Sequence, residues 1–173
     1  MPVDLGQRVA ALERRLAALE NATTTETSSA APAADDCWAL EGLKDRLADE
    51  PDTADGGVLY TGAVRLPTGA QHEWQHELLT EHLLDIDWAE AAEVFAALGH
   101  AMRLRLLREI LGGRRTATEL TGLDDVGTSG QIYHHLRQLT AAGWLRQAGR
   151  GRYEIPETRL VPLLVALATT RPV

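Results

Sequence analysis

The sequence predicts a mainly α fold with small β elements, an α+β class, on three observations. Apolar residues recur with helical spacing from Leu78 almost to the C-terminus. Two stretches between Val58 and His76 alternate apolar and polar residues with period 2. Two helix-start signatures, Thr116-x-x-Glu119 and Thr128-x-x-Gln131, lie only twelve residues apart. With 173 residues, 45% of them hydrophobic, and a formal charge of −8, the chain fits one compact domain plus accessory segments and is too short for a large multidomain enzyme.

Cys37 is the single cysteine, so neither an internal disulfide nor a paired-thiolate zinc site can form, and a reducing cytoplasm is the expected location. Charges interrupt the apolar pattern of the N-terminus. No stretch approaches the roughly 20 apolar residues a membrane span needs, so no membrane association is expected. The charge is unevenly spread. Residues 1–100 hold 6 Lys and Arg against 19 Asp and Glu, whereas residues 101–160 hold 10 Arg against 6 acidic residues, so only the second part can attract a polyanion.

In chain order, Leu5, Val9, Leu12, Leu16 and Leu19 follow the alternating spacing of a heptad seam and predict a coiled-coil dimerisation helix over residues 1–21, with Arg8 and Arg15 at g and Glu13 and Glu20 at e. The stretch 22–36 has no large apolar side chain and reads as a flexible linker. An accessory segment, 37–86, should hold a short helix from about Cys37 to Ala48, a strand through Val58, Tyr60, Val64 and Leu66, a turn at Pro67-Thr68-Gly69, and a second strand through His72, Trp74 and His76. Helical pattern then runs on, broken at Asp85-Ile86-Asp87, Gly99, Gly112-Gly113 and around Gly122.

His72-Glu73-Trp74-Gln75-His76 matches H-E-x-x-H, with His82 where an extended zinc-peptidase pattern has its third ligand. That chemistry needs a helix, so that the two imidazoles share one face beside the glutamate, and a glycine where this chain has Leu79. Period 2 argues for a strand, and a peptidase is rejected. No phosphate loop, nucleophile arrangement or paired-carboxylate site stands out. No catalytic residue, metal site or cofactor is expected, and the chain is read as a non-enzyme.

The two closely spaced capping boxes require a short first helix ending near Gly122 and a second carrying Ile132, Leu136 and Leu139 as its buried stripe, which is helix-turn-helix spacing. With Ile132 inward, Gly130, His134 and Arg137 point outward, flanked by Gln131, Tyr133 and Gln138, on a face without acids. Gln131 and His134 can donate to base edges and Arg137 can reach guanine or phosphate. His135 is expected half-buried. After Gly143, the segments Trp144–Gln147 and Gly149–Ile155 read as two short strands around an Arg-bearing turn, a winged-helix arrangement in which Arg150 and Arg152 can meet phosphates or a minor groove. Pro156 stops the strand, and Leu160, Val161, Leu163, Leu164, Val165 and Leu167 make a terminal helix too apolar to stand exposed.

The stretch Val94-Phe-Ala-Ala-Leu-Gly-His100-Ala-Met-Arg103-Leu104, followed by Thr128-Ser-Gly-Gln-Ile-Tyr-His-His-Leu136-Arg-Gln-Leu139-Thr-Ala-Ala-Gly143-Trp-Leu145, resembles the arsenic-repressor (ArsR-type) winged-helix regulators over about residues 88 to 168. The resemblance implies a homodimeric transcription factor on double-stranded DNA, with Thr128, Ser129, Gln131, Tyr133 and His134 facing the DNA and Arg150 and Arg152 in the wing. It also implies that helices flanking the winged helix make the dimer contact. Ala101 stands where the family usually has proline, and the turn Gly122–Gly127 is longer and more acidic. The family's metal sites are missing, since residues 116–123 lack a cysteine pair and residues 157–170 lack histidine.

The expected organisation is therefore 1–21, 22–36, 37–86 and a winged helix-turn-helix domain at 87–170. The dimer is expected to draw on the heptad residues and on Leu160, Leu164 and Leu167, and an unidentified small-molecule or protein effector completes the partners. The alternative is an assembly module whose winged helix has no sequence preference for DNA. Tyr60, Trp74 and Trp88 are read either as framing a ligand pocket or, with more weight, as a small satellite core.

Overall fold

A computed structural model describes residues 37–49, 56–123 and 127–172. The heptad residues Leu5, Val9, Leu12, Leu16 and Leu19 and the stretch 22–36 lie outside them. The described elements are α1 (Trp38–Asp49), β1 (Gly57–Arg65), β2 (Gln71–Leu79), α2 (Thr80–Asp85), α3 (Trp88–Ala96), α4 (Ala101–Leu111), α5 (Ala117–Thr121), α6 (Ser129–Ala141), β3 (Arg146–Gln147), β4 (Tyr153–Glu154) and α7 (Glu157–Ala168). This is a mixed fold of seven helices and two small antiparallel sheets among the described residues. None of these helices is long and apolar enough to cross a membrane.

β1 and β2 pair in register from Gly57↔Leu79 to Arg65↔Gln71, closed by a turn at Thr68 and Gly69, where Gly69 takes φ 85°. The second strand runs three residues past His76, because the ladder supplies partners for Leu78 and Leu79 that sequence periodicity does not reveal. The helix expected from Leu78 begins instead at Thr80.

Each break in the helical run has a local cause. Asp87 caps α3, its carboxylate accepting from the Ala89 N–H at 2.8 Å, and His100 caps α4, its Nδ1 accepting from the Met102 N–H at 3.1 Å. Pro156 ends the strand and sits at the N-cap of α7.

The main core joins Leu106, Leu107 and Ile110 of α4, Leu120 of α5, Ile132, Leu136 and Leu139 of α6, then Trp144, Leu145, Tyr153 and Leu163. A second core joins Leu66 to Leu160 and Val161 of α7, with Tyr60, Val64 and Trp74 packed against it. Tyr60 and Trp74 thus belong to a satellite core.

That second core changes two expectations. Ala39–Val173 form one compact unit, so the division expected between 37–86 and 87–170 is not a packing boundary. Leu160, expected at a dimer surface, is 3% exposed because the β1–β2 hairpin already covers it within the same chain. Leu164 is half-buried against the same core and Leu167 remains exposed.

The hairpin lies on α7 through Gly62, where an added Cβ would stand 2.8 Å from Val161 Cγ1 and 3.2 Å from Cγ2. Val161 is short, β-branched and buried, so the strand rather than the side chain would have to move. Gly62→Ala is expected to cost about 1–3 kcal/mol in urea denaturation, with part of the loss recovered when Val161→Ala is added. Additive costs for the pair would refute this packing account.

Candidate nucleic-acid interface

The two capping boxes form as their spacing predicts. The Thr116 hydroxyl accepts from the Glu119 N–H at 3.2 Å while the Glu119 carboxylate accepts from the Thr116 N–H at 2.8 Å. These hydrogen bonds from Thr116, backbone then hydroxyl, hold the Glu119 carboxyl below its ordinary range, with Arg115 N–H and the Arg152 charge adding to them. At α6 the Thr128 hydroxyl accepts from the Gln131 N–H at 3.4 Å, and the Gln131 amide oxygen accepts from the Thr128 N–H at 2.8 Å. Both helices therefore start where their orphan N–H groups find side-chain oxygens.

Between them α5 ends at Gly122, and α6 buries Ile132, Leu136 and Leu139 completely, each at 0% exposure. The opposite face holds Thr128, Ser129, Gly130, Gln131, Tyr133, His134 and Arg137, all exposed, and no acidic side chain. Tyr133 is 44% exposed, unusual for an aromatic ring on a helix whose apolar stripe is fully buried. Arg137 Nε donates weakly to the Tyr133 carbonyl at 3.4 Å.

Gln131 makes the cap that its spacing predicts. Its amide oxygen is engaged at the cap, so only the amide NH₂ is left to donate outward, and the residue serves helix start and surface at once.

The β3–β4 hairpin pairs Arg146↔Glu154 and Gln147↔Tyr153, and Arg146 Nε donates to Glu154 Oε1 at 2.7 Å beside that pairing. Its turn carries Gly149 at φ 136° and Gly151 at φ 69°, conformations that L side chains rarely adopt. Arg150 stands exposed between them, with no hydrogen bond or ion pair among the described residues, and Arg152 is exposed at the next position. The hairpin is tied back to the start of α5. Ala117 N–H donates to Gly151 O at 2.8 Å, Tyr153 N–H donates to Arg115 O at 2.7 Å, and Thr116 bridges Arg152. The turn bearing Arg150 is thus fixed to the helix pair by backbone hydrogen bonds.

Behind α6 lie polar residues that periodicity does not mark. Arg103 of α4 donates through one terminal nitrogen to Gln138 Oε1 at 2.6 Å and through the other to Ala96 O at 2.8 Å, joining α3, α4 and α6. His135, half-buried as expected, has its ring 4.6 Å from that of His100 and 5.8 Å from that of His134. An arginine inside the α4 pattern Met102-Arg-Leu-Arg-Leu-Leu is the one sequence signal that could have marked this cluster.

His72 and His76 lie on strand β2, where residues four apart are separated by about 13 Å of extended chain and cannot share a metal as they would on a helix. No group of three or more His, Cys, Asp or Glu among the described residues is placed to hold a metal ion.

An apolar groove of about 860 Å³ runs along α3 and α7, bordered by Phe95, Leu98, Trp144, Pro162, Val165 and Leu167. Tyr60 also borders it. Trp88, the third aromatic expected near a pocket, is 66% exposed outside the groove, and Trp74 does not line it. At the groove's floor Trp144 Nε1 donates to Val94 O at 2.9 Å and Arg159 lies 5.1 Å from the Trp144 ring.

No family model, curated protein or solved structure matches this chain.

Proposed function

We propose that the chain is a sequence-specific DNA-binding transcriptional regulator of winged-helix architecture, acting as a homodimer. The observation that carries the reading is the exposed, acid-free face of α6 from Thr128 to Arg137, together with Arg150 on a hairpin fastened to α5. A capped helix of this kind, with polar donors in its first turns, suits the major groove, and guanidinium groups on a glycine-flanked turn suit phosphates or a narrow minor groove. The resemblance of residues 88 to 168 to ArsR-type regulators supports the same reading. The acidic remainder of the chain lowers affinity for DNA of arbitrary sequence, which favours discrimination over tight unspecific binding.

In this reading the dimer contact draws on exposed apolar residues beside the α3–α7 groove, Phe95 at 62% and Leu167 at 37% exposure, and on Leu164, but not on Leu160. The same exposed residues, with Leu84 and Ile86, favour a second reading in which the fold is an assembly module for a partner protein.

The test is selection of duplexes from a random-sequence pool, followed by binding to selected and scrambled DNA. His134→Ala is expected to weaken the selected duplex by about 1–3 kcal/mol and to spare the scrambled one. Gln131→Glu keeps a cap acceptor but sets a carboxylate on the reading face, and should weaken both. A pool that yields no preferred sequence favours the assembly module.

A further inference from the structure

The seam between α4 and α6 holds two buried nitrogens without a hydrogen-bond partner among the described residues, Arg103 Nε and His135 Nδ1. Unmet polar atoms are costly in a packed seam, and two of them beside the His100 and His135 rings, 4.6 Å apart and tilted by 43°, call for an explanation. Arg103 is otherwise well held. Its fork spans from Gln138 on α6 to the carbonyl of Ala96 at the C-terminal end of α3, where the helix dipole favours a cation.

We propose that Arg103, His100 and His135 are positioning residues for the DNA-reading helix, and that they hold α6 in its reading orientation only while both imidazoles are neutral. The inference rests on the DNA-reading function proposed above.

The chemistry of each ring argues for this. His100 Nδ1 accepts the Met102 N–H, which requires a lone pair, so protonation there turns the acceptor into a donor and removes the N-cap of α4. His135 Nδ1 has no hydrogen-bond partner among the described residues, and the Gln138 oxygen beside it is taken by Arg103, so an imidazolium would carry a poorly met donor in the seam. Burial, then the charges of His100 and Arg103, hold His135 below the ordinary imidazole range, with His134 adding a smaller push and the polar Gln138 side chain nearby acting the other way.

Among the described residues, the main charges acting on His135 are all cationic or imidazole groups. Those charges come from Arg103 on α4, from His100 before it and from His134 on α6. Glu90 and Glu93 of α3 line the adjoining cleft with Arg103 and Gln138. A group whose native pKa is depressed leaves stability intact above its ordinary value, about 6.5 for imidazole. That stability is lost as pH falls below it toward the lowered native value. Acid therefore loosens the seam, and a reading helix must be held to about 0.5 Å for its donors to meet base edges.

Acid also makes every histidine more attractive to phosphate, whatever the sequence. The informative quantity is thus the ratio of affinities for a pool-selected duplex and its scramble, measured with the full chain at fixed salt between about pH 7.5 and about pH 5.5, a window that brackets the imidazole range. The ratio should fall several-fold on acidification in the native chain and stay level in His100→Asn/His135→Gln, where Asn restores a cap and Gln cannot ionise. Arg103→Lys, which cannot span both partners, should lower the ratio at every pH.

Amide-exchange protection of α6 without DNA, corrected for intrinsic rates, should drop on acidification in the native chain and not in the double variant. The same fall in both proteins, by ratio or by exchange, overturns the proposal. If no duplex is selected, the DNA reading fails and the exchange measurement alone decides the seam. A level exchange profile in the native chain, with a duplex selected, rejects the seam and leaves the DNA reading standing.

Discussion

Leu136→Ala is expected to destabilise the chain by about 2–5 kcal/mol, read as a lower urea midpoint at an unchanged slope. Leu136 is 0% exposed, in the middle of α6, and belongs to the core that also takes in Leu106, Leu120, Leu139 and Leu163. Truncation removes three carbons and leaves a cavity whose walls come from several elements, so no single segment can collapse to fill it. Domains of this kind have only about 5–15 kcal/mol in total, so the variant approaches the limit of folding. Leu40→Ala serves as the comparison. At 47% exposure on α1 it should change stability by no more than about 0.5 kcal/mol. Equal losses at the two positions would show that the core is not centred on α6.

Joint replacement of Arg150 and Arg152 by alanine is expected to have the largest effect on DNA affinity. In a dimer the two arginines of each protomer together neutralise about four phosphates, and the salt dependence should flatten by about 0.9 for every phosphate left without its cation. Selected and scrambled duplexes should weaken together, because in the proposed function these guanidinium groups meet phosphates or a narrow groove rather than base edges. The fold should survive. The Arg150 side chain has no partner among the described residues, and the Arg152 side chain acts on the Glu119 capping box through its charge, whereas the box stands on its Thr116 hydrogen bonds and the Thr116–Arg152 bridge is made by backbone that alanine keeps. A loss confined to the selected duplex would move these arginines from positioning to base reading.

Local physics made much of this structure legible in the sequence. A capping box is a contact between residues three apart, so Thr116 with Glu119 and Thr128 with Gln131 could be read directly, and with them the starts of α5 and α6. The alternation around Tyr60 and Trp74 marked the hairpin for the same reason, since one face is packed and the other is wet. Long-range contacts were not visible. Arg103 and Gln138 lie far apart in sequence, and although an arginine in the apolar pattern of α4 hints at a buried polar contact, nothing local names Gln138 as its partner. An all-round apolar helix such as α7 states that it must be covered but not by what, so Leu160 read as a dimer residue although the hairpin of its own chain covers it. Gln131 was foreseen at both cap and surface, yet only geometry showed that its oxygen is taken.

The contact of Gly62 with Val161 has a consequence for how the chain is made. The two residues are roughly a hundred positions apart, so this closure raises contact order and should form late in folding. During synthesis the hairpin leaves the ribosome long before α7, and until that helix emerges the packing face of Tyr60, Val64 and Trp74 has no cover. A nascent chain stalled before Glu157 should therefore expose a sticky ribbon that binds chaperones, and release of the last helix should end that exposure.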